Sequence, residues 1–147
     1  MQPGKRKIYT LGTSTRTFEE FISLLKSFGI DLIIDVRRFP TSRFEWFKKE
    51  NLETLLSGES IQYLYMGKEF GGYRSGGYEA YTQSEEFQKA LAALKEVSTG
   101  RNGAIVCAER FPWKCHRLSI ARELEKLKFD VIHIIDEKRT WRPKRRK

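Results

Sequence analysis

Five strand-length apolar runs, separated by segments with helical spacing, constrain this chain more than any other feature. The runs are Ile8–Leu11, Asp31–Asp35, Ile61–Met66, Ala104–Ala108 and Val131–Ile135. Between the first two, Phe18, Phe21, Ile22, Leu25 and Phe28 recur at the period of a helix. Thr17-Phe18-Glu19-Glu20 has the form of a capping box at its start, and Gly29 supplies a left-handed stop. Further helices are predicted over Glu45–Ser57, Ser84–Ser98 (Phe87, Leu91, Leu94 and Val97 inward) and Cys115–Lys128 (Leu118, Ala121, Leu124 and Leu127 inward). Strands alternating with helices need right-handed crossovers and a parallel sheet covered on both faces. The predicted architecture is therefore α/β, a three-layer Rossmann-like fold with a mainly parallel sheet of about five strands. The segment Gly67–Gly77, rich in glycine with Phe70, Tyr73, Tyr78 and Tyr81 nearby, reads as a long loop.

In such a sheet the strand ends open on one edge, and that edge is where ligands bind. The residues following the runs are chemically loaded: Thr13-Ser14-Thr15, then Asp35-Val36-Arg37-Arg38-Phe39-Pro40-Thr41-Ser42-Arg43, then Gly71-Gly72-Tyr73-Arg74, then Cys107-Ala108-Glu109-Arg110, which leads into Cys115-His116-Arg117. One cleft rich in guanidinium groups and facing an anion is the expectation. Arg37, Arg38, Arg43, Arg74 and Arg117 are candidate anion holders through bidentate contacts, with Ser14 donating a hydroxyl and Asp35 orienting an arginine or binding a sugar hydroxyl. Asp35 and one arginine can equally lock the loop as an ion pair. Tyr63, Tyr65, Phe70 and Tyr73 can stack on a base, or the first two can pack on a sheet face.

The densest chemistry lies between Cys107 and Arg117. A helix starting near Cys115 would point free amides at the sheet edge, with Arg110, Lys114 and Arg117 beside them, a setting that suits phosphate and lowers a thiol pKa. Cys115 is the candidate nucleophile, His116 a proton carrier and Glu109 an acid or base. Cys107 reads as a small buried thiol. Cys107, Cys115, His116 and His133 match no standard zinc spacing, so no metal is predicted, and a bridge between the two cysteines stays open. Neither a dinucleotide-binding glycine turn nor a Walker loop is present, nor is the Cys-x5-Arg spacing of thiol phosphatases, and no cofactor is expected.

Composition narrows the class. The 147 residues, 39% hydrophobic, suit one domain, placed at residues 1–137, followed by a basic tail at 138–147. The net charge of +9 is terminal: residues 138–147 hold seven of the 28 basic residues and no acid, whereas residues 8–137 hold 18 basic against 19 acidic. That tail, with Trp141 available to stack, can hold nucleic acid through its phosphates, or be a solvated end that aids solubility. No apolar run of membrane-spanning length and no secretory signal is seen, and two cysteines make no disulfide framework, so a soluble cytoplasmic protein is expected.

Thr10-Leu11-Gly12-Thr13-Ser14, the Asp35–Arg43 series, Gly71-Gly72-Tyr73-Arg74 and Cys107-Ala108-Glu109 with Cys115-His116-Arg117 together resemble the motif series of the family called domain of unknown function 488. The resemblance runs in order from about residue 8 to 135. The family's first motif typically carries a histidine where this chain has Thr13. The resemblance implies the fold and the cleft, with no established reaction attached. The leading expectation is an enzyme acting on a phosphate-bearing substrate, a nucleotide or nucleic acid, in the arginine cleft. The alternatives are a non-catalytic nucleic-acid-binding module using the tail, and a thiol redox or sulfur-transfer protein centred on Cys115.

Overall fold

The computed structural model describes residues 6–39, 42–72 and 74–142. Pro40, Thr41, Tyr73 and the end of the tail at 143–147 lie outside the described residues, so the stacking expected of Tyr73 does too. Among the described residues, six strands form one sheet: β1 (Arg6–Gly12), β2 (Leu32–Asp35), β3 (Gln62–Tyr65), β4 (Gly103–Cys107), β5 (Phe129–Asp136) and β6 (Arg139–Trp141). Their spatial order is β3-β2-β4-β1-β5-β6, parallel except for the antiparallel pairing of β5 with β6.

The described residues also form six α-helices that cover the sheet: α1 (Phe18–Ser27), α2 (Lys49–Ser57), α3 (Gly67–Phe70), α4 (Tyr78–Thr82), α5 (Glu85–Ser98) and α6 (Arg117–Lys126). Connections that move from β1 to β2 to β3 put α1 and α2 on one face. Those that move back, β3 to β4 to β5, put α3, α5 and α6 on the other, as right-handed crossovers require. Strand alternation divides the core accordingly. Leu11, Ile33, Val106 and Ile134 meet Phe21 and Leu25 of α1 and Leu52 and Leu56 of α2. Ile8, Leu32, Ile34 and Ile105 meet Phe87, Leu91 and Leu94 of α5 and Ile120 and Leu124 of α6. This is a three-layer Rossmann-like α/β fold.

The local signals act as written. Thr17 Oγ1 accepts from the Glu20 amide at 3.0 Å, Glu20 returns a carboxylate oxygen to the Thr17 amide at 2.8 Å, and Gly29 takes φ +67° beyond the end of α1. Three segments differ from the sequence reading. The helix expected over Glu45–Ser57 is broken: a 3-10 turn at Glu45–Phe47 gives way to extended Lys48 before α2, because Phe47 turns inward to a fully buried position and its carbonyl accepts from Arg37. The loop expected over Gly67–Gly77 contains α3 and runs into α4. Tyr78 and Tyr81 pin it by donating their hydroxyls to the carbonyls of Phe70 and Glu69.

The third difference is at the end of the chain. Residues 139–141, grouped in sequence with the basic tail, belong to the sheet as β6, with Trp141 opposite His133. Asp136 makes the turn by accepting from the amides of Lys138 and Arg139 and from the Arg139 guanidinium. Among the described residues, no helix is long and apolar enough to cross a membrane.

Candidate functional site

The ends of β2 and β4 and the segment leading into α6 enclose a cleft of about 500 Å³, lined by Arg37, Arg38, Phe39, Gly72, Cys107, Ala108, Glu109, Lys114, Cys115 and His116. A second hollow of about 580 Å³, at the ends of β1 and β5, is edged by Arg16, Glu20, Asp136 and Arg139, a mixture of charges that largely neutralise one another. The reactive side chains are in the first.

Cys107 ends β4 with its thiol on the cleft floor. The chain then leaves as a loop, passes through a 3-10 turn at Pro112–Lys114, and returns with Cys115 extended and His116 capping α6. The helix thus begins two residues later than expected. The detour brings the sulfurs of Cys107 and Cys115 to 2.8 Å, although neither is in a disulfide. Gly12 makes it possible: a Cβ there would stand 2.0 Å from the Glu109 carbonyl oxygen, so only glycine lets the loop lie across the end of β1.

Arg117 was expected to hold a substrate anion. The structure buries it completely and spends its donors inward. Nη1 donates to the Cys107 sulfur at 2.7 Å and to the Glu109 carbonyl, Nη2 to the Arg110 carbonyl at 2.9 Å, and Nε to Thr10 Oγ1 at 3.2 Å. The chain continues inward, because Thr10 Oγ1 lies 2.6 Å from His133 Nδ1. Thr10 Oγ1 thus joins the Arg117 guanidinium to the His133 ring. His133 Nε2 is buried without a hydrogen-bond partner among the described residues.

The expectation that the basic surroundings would lower the Cys115 thiol pKa is corrected, because the charge settles on its neighbour. Burial pushes Cys107 up, but the hydrogen bond from Cys115 and the charge and donor of Arg117 outweigh it and bring Cys107 down to about 7. Cys115 is pushed far up, first by donating to Cys107 and then by burial, even though the Arg117 amide at the head of α6 points at its sulfur from 3.5 Å. The two thiols are one coupled acid, whose first proton is held less tightly than that of an ordinary thiol. Half-buried Cys115 is the more accessible of the two sulfurs.

His116 packs on the Tyr78 ring, with centroids 5.1 Å apart. Burial pushes its pKa down, which keeps the imidazole neutral at pH 7. With Nε2 3.4 Å from the Val36 carbonyl, Nδ1 presents a lone pair to the Cys115 sulfur at 3.6 Å.

The other expected residues divide sharply. Asp35, fully buried, accepts from both Nε and Nη2 of Arg37 at 2.9 and 2.8 Å and from the Tyr63 hydroxyl at 2.5 Å. Arg37, whose pKa stays up because Asp35 outweighs its burial, spends its remaining fork nitrogen on the Phe47 carbonyl. That lock is the ion-pair alternative weighed for this loop. Arg74 is also turned to structure, donating to the carbonyls of Gly71 and Lys68 and lying 4.0 Å above the Tyr81 ring.

Arg43 is exposed over Phe44, and neither it nor Arg74 lines the cleft. Ser14, at φ 50°, is contacted by Arg110 at 3.4 Å, outside the cleft. Glu109 is exposed on the lip, engaged through its carbonyl. Arg38, exposed and donating to the Gly72 carbonyl, is the expected arginine whose side chain faces the opening, and exposed Lys114 stands with it.

Sequence reasoning missed the Thr10–His133 link and the buried Arg16, which donates to the carbonyls of Gly12 and Ile135. A histidine inside an apolar strand was the available signal for the first. Arg16, between two threonines, carries no such signal. Among the described residues, no group of three His, Cys, Asp or Glu side chains is placed to hold a metal ion.

No curated protein and no solved structure matches the chain significantly. The family model described as "Domain of unknown function DUF488" matches residues 17–77 and 74–124. That span takes in the Asp35–Arg37 lock, the thiol pair and the head of α6, and the chain belongs to the DUF488 family.

Proposed function

We propose that the protein is a thiol enzyme that exchanges its Cys107–Cys115 dithiol with a small anionic disulfide held between Arg38 and Lys114. The observation that carries this reading is the pair of sulfurs 2.8 Å apart, one of them 2.7 Å from a buried arginine, at the floor of an open cleft. A purely anion-binding cleft is less well supported, since Arg37 and Arg117 spend their donors on the protein itself.

The chemistry balances without a further reactant. The Cys115 proton passes along its hydrogen bond to the Cys107 sulfur, and the Cys115 thiolate so formed attacks one sulfur of the substrate disulfide. The substrate S–S bond breaks, a mixed disulfide forms on Cys115, and the departing thiolate collects the proton from Cys107, restoring the Cys107 thiolate. The Cys107 thiolate then attacks the Cys115 sulfur, expelling the second thiolate and closing the Cys107–Cys115 bond. The substrate gains the two electrons that the pair gives up.

Reaction with dithiobis(nitrobenzoate), an anionic aromatic disulfide, tests the scheme. The native chain should release two nitrothiolates and keep no label, whereas Cys107→Ser should release one and hold the other on Cys115. Label retained on the native chain would mean that the pair does not close. Arg38→Gln with Lys114→Gln should slow this reagent and leave a neutral dipyridyl disulfide unaffected.

A further inference from the structure

Beside the cleft, three aromatic rings form a continuous track, exposed at Trp113 and half-buried at Phe111 and Trp141. Phe111 and Trp113 stack at 5.1 Å and 21°, and Trp113 meets Trp141 of β6 edge-on at 5.2 Å. Lys114, on the cleft wall, sits 6.0 Å from the Phe111 ring, so the track begins at the cleft and ends on the last strand. Trp113 is 50% exposed, which is costly for an indole that the core does not need. Trp141 differs, since its ring also covers His133 at 5.4 Å.

Charge lies along the same path. Lys138, Arg139 and Arg142 are exposed on and beside β6, the latter two leaning on Asp136 and Asp130 while remaining more than half exposed, and four more basic residues follow Pro143 in the sequence. The fold places Lys138, Arg139 and Arg142 next to the aromatic track by pairing β6 with β5.

Flat, partly exposed rings beside cationic side chains suit a ligand with unstacked bases and a phosphate backbone. We propose that the Phe111–Trp113–Trp141 track binds single-stranded nucleic acid, with bases stacking on Trp113 and phosphates held by Lys114, Lys138, Arg139 and Arg142. A duplex keeps its base faces buried in its own stack and offers nothing for an indole to lie on. The proposal rests on the aromatic track and its charge, independently of the thiol chemistry.

Fluorescence anisotropy of labelled fifteen-nucleotide oligo(dT) and oligo(U), single-stranded and annealed to complement, tests it on the full chain. Single strands should bind more tightly than duplexes, with affinity falling linearly against the logarithm of salt. Trp113→Ala should weaken binding by about 5- to 150-fold at constant salt. Its fold is checked by circular dichroism, and Trp113→Phe should restore most of the affinity. Tighter oligo(U) or oligo(dT) binding assigns RNA or DNA. Unchanged affinity in Trp113→Ala would reduce the interaction to charge alone and overturn the proposal, as would preference for the duplex or no binding at low salt.

Discussion

Arg117 reaches from the first turn of α6 to within 2.7 Å of the Cys107 sulfur while holding the carbonyls of Glu109 and Arg110 with its other donors. One buried guanidinium therefore fixes both the thiol's charge and the loop that places its partner. Replacing it with lysine keeps a charge but loses the fork. Alkylation by iodoacetamide, followed against pH, should show the midpoint for Cys107 rising from about 7 in Arg117→Lys, since this arginine is among the groups that bring it down. Cys115→Ala, measured in parallel, assigns the signal to Cys107 and, by removing a hydrogen-bond donor to it, should also raise the midpoint.

The Asp35–Arg37 pair is buried on both sides, with exposures of 0% and 4%. Asp35→Asn removes the charge and leaves the guanidinium without its counter-ion. Urea unfolding should show a loss of about 3–5 kcal/mol. Tyr63→Phe, which removes only the hydroxyl that donates to Asp35, should cost less, about 1–2 kcal/mol.

Gly12→Ala puts a methyl group 2.0 Å from a main-chain oxygen that cannot rotate away. Thermal unfolding should report a loss of about 1–3 kcal/mol. Because the displaced segment is the one that returns Cys115 to Cys107, release of the second nitrothiolate in the disulfide assay should slow more than release of the first.

His133 is buried beside Arg117, and burial, reinforced by that charge, pushes its pKa down to about 3. The unfolded chain binds a proton near pH 6.5, where the folded chain does not. The contribution to stability is thus complete above about pH 6.5 and is lost as pH falls toward 3, at about 1.4 kcal/mol per pH unit. His133→Phe should flatten this part of the profile in denaturant titrations at successive pH values.

The layered architecture was legible because the five parallel strands and the longer helices between them carried their own signals. Thr17 and Glu20 mark the head of α1, Ser84 that of α5, and the apolar runs mark the buried strands. Parts of the two clusters, Arg37 to Phe39 and Cys107 to Glu109 with Lys114 to His116, meet at the cleft because topology places strand ends together.

What a side chain does there was not legible. Arg37 and Arg38 are adjacent in sequence, yet alternation along the chain sends one into the protein and the other to the opening. The assignment of charge to Cys107 instead of Cys115 depends on the reach of Arg117, which no spacing rule encodes. β6 was hidden because Arg139-Thr140-Trp141 lies within a run of basic residues that masks so short a strand.

The buried position of Arg117 also bears on redox poise. While the pair is reduced, the thiolate on Cys107 answers the guanidinium charge. Closing the Cys107–Cys115 bond would discharge that thiolate and leave a cation, 0% exposed, facing only neutral oxygens and a neutral disulfide. The electrostatic cost falls on the oxidised form alone, so the reduction potential rises and the disulfide becomes a ready acceptor of electrons. A protein built this way would rest in the dithiol state and pass its oxidising equivalents on soon after receiving them.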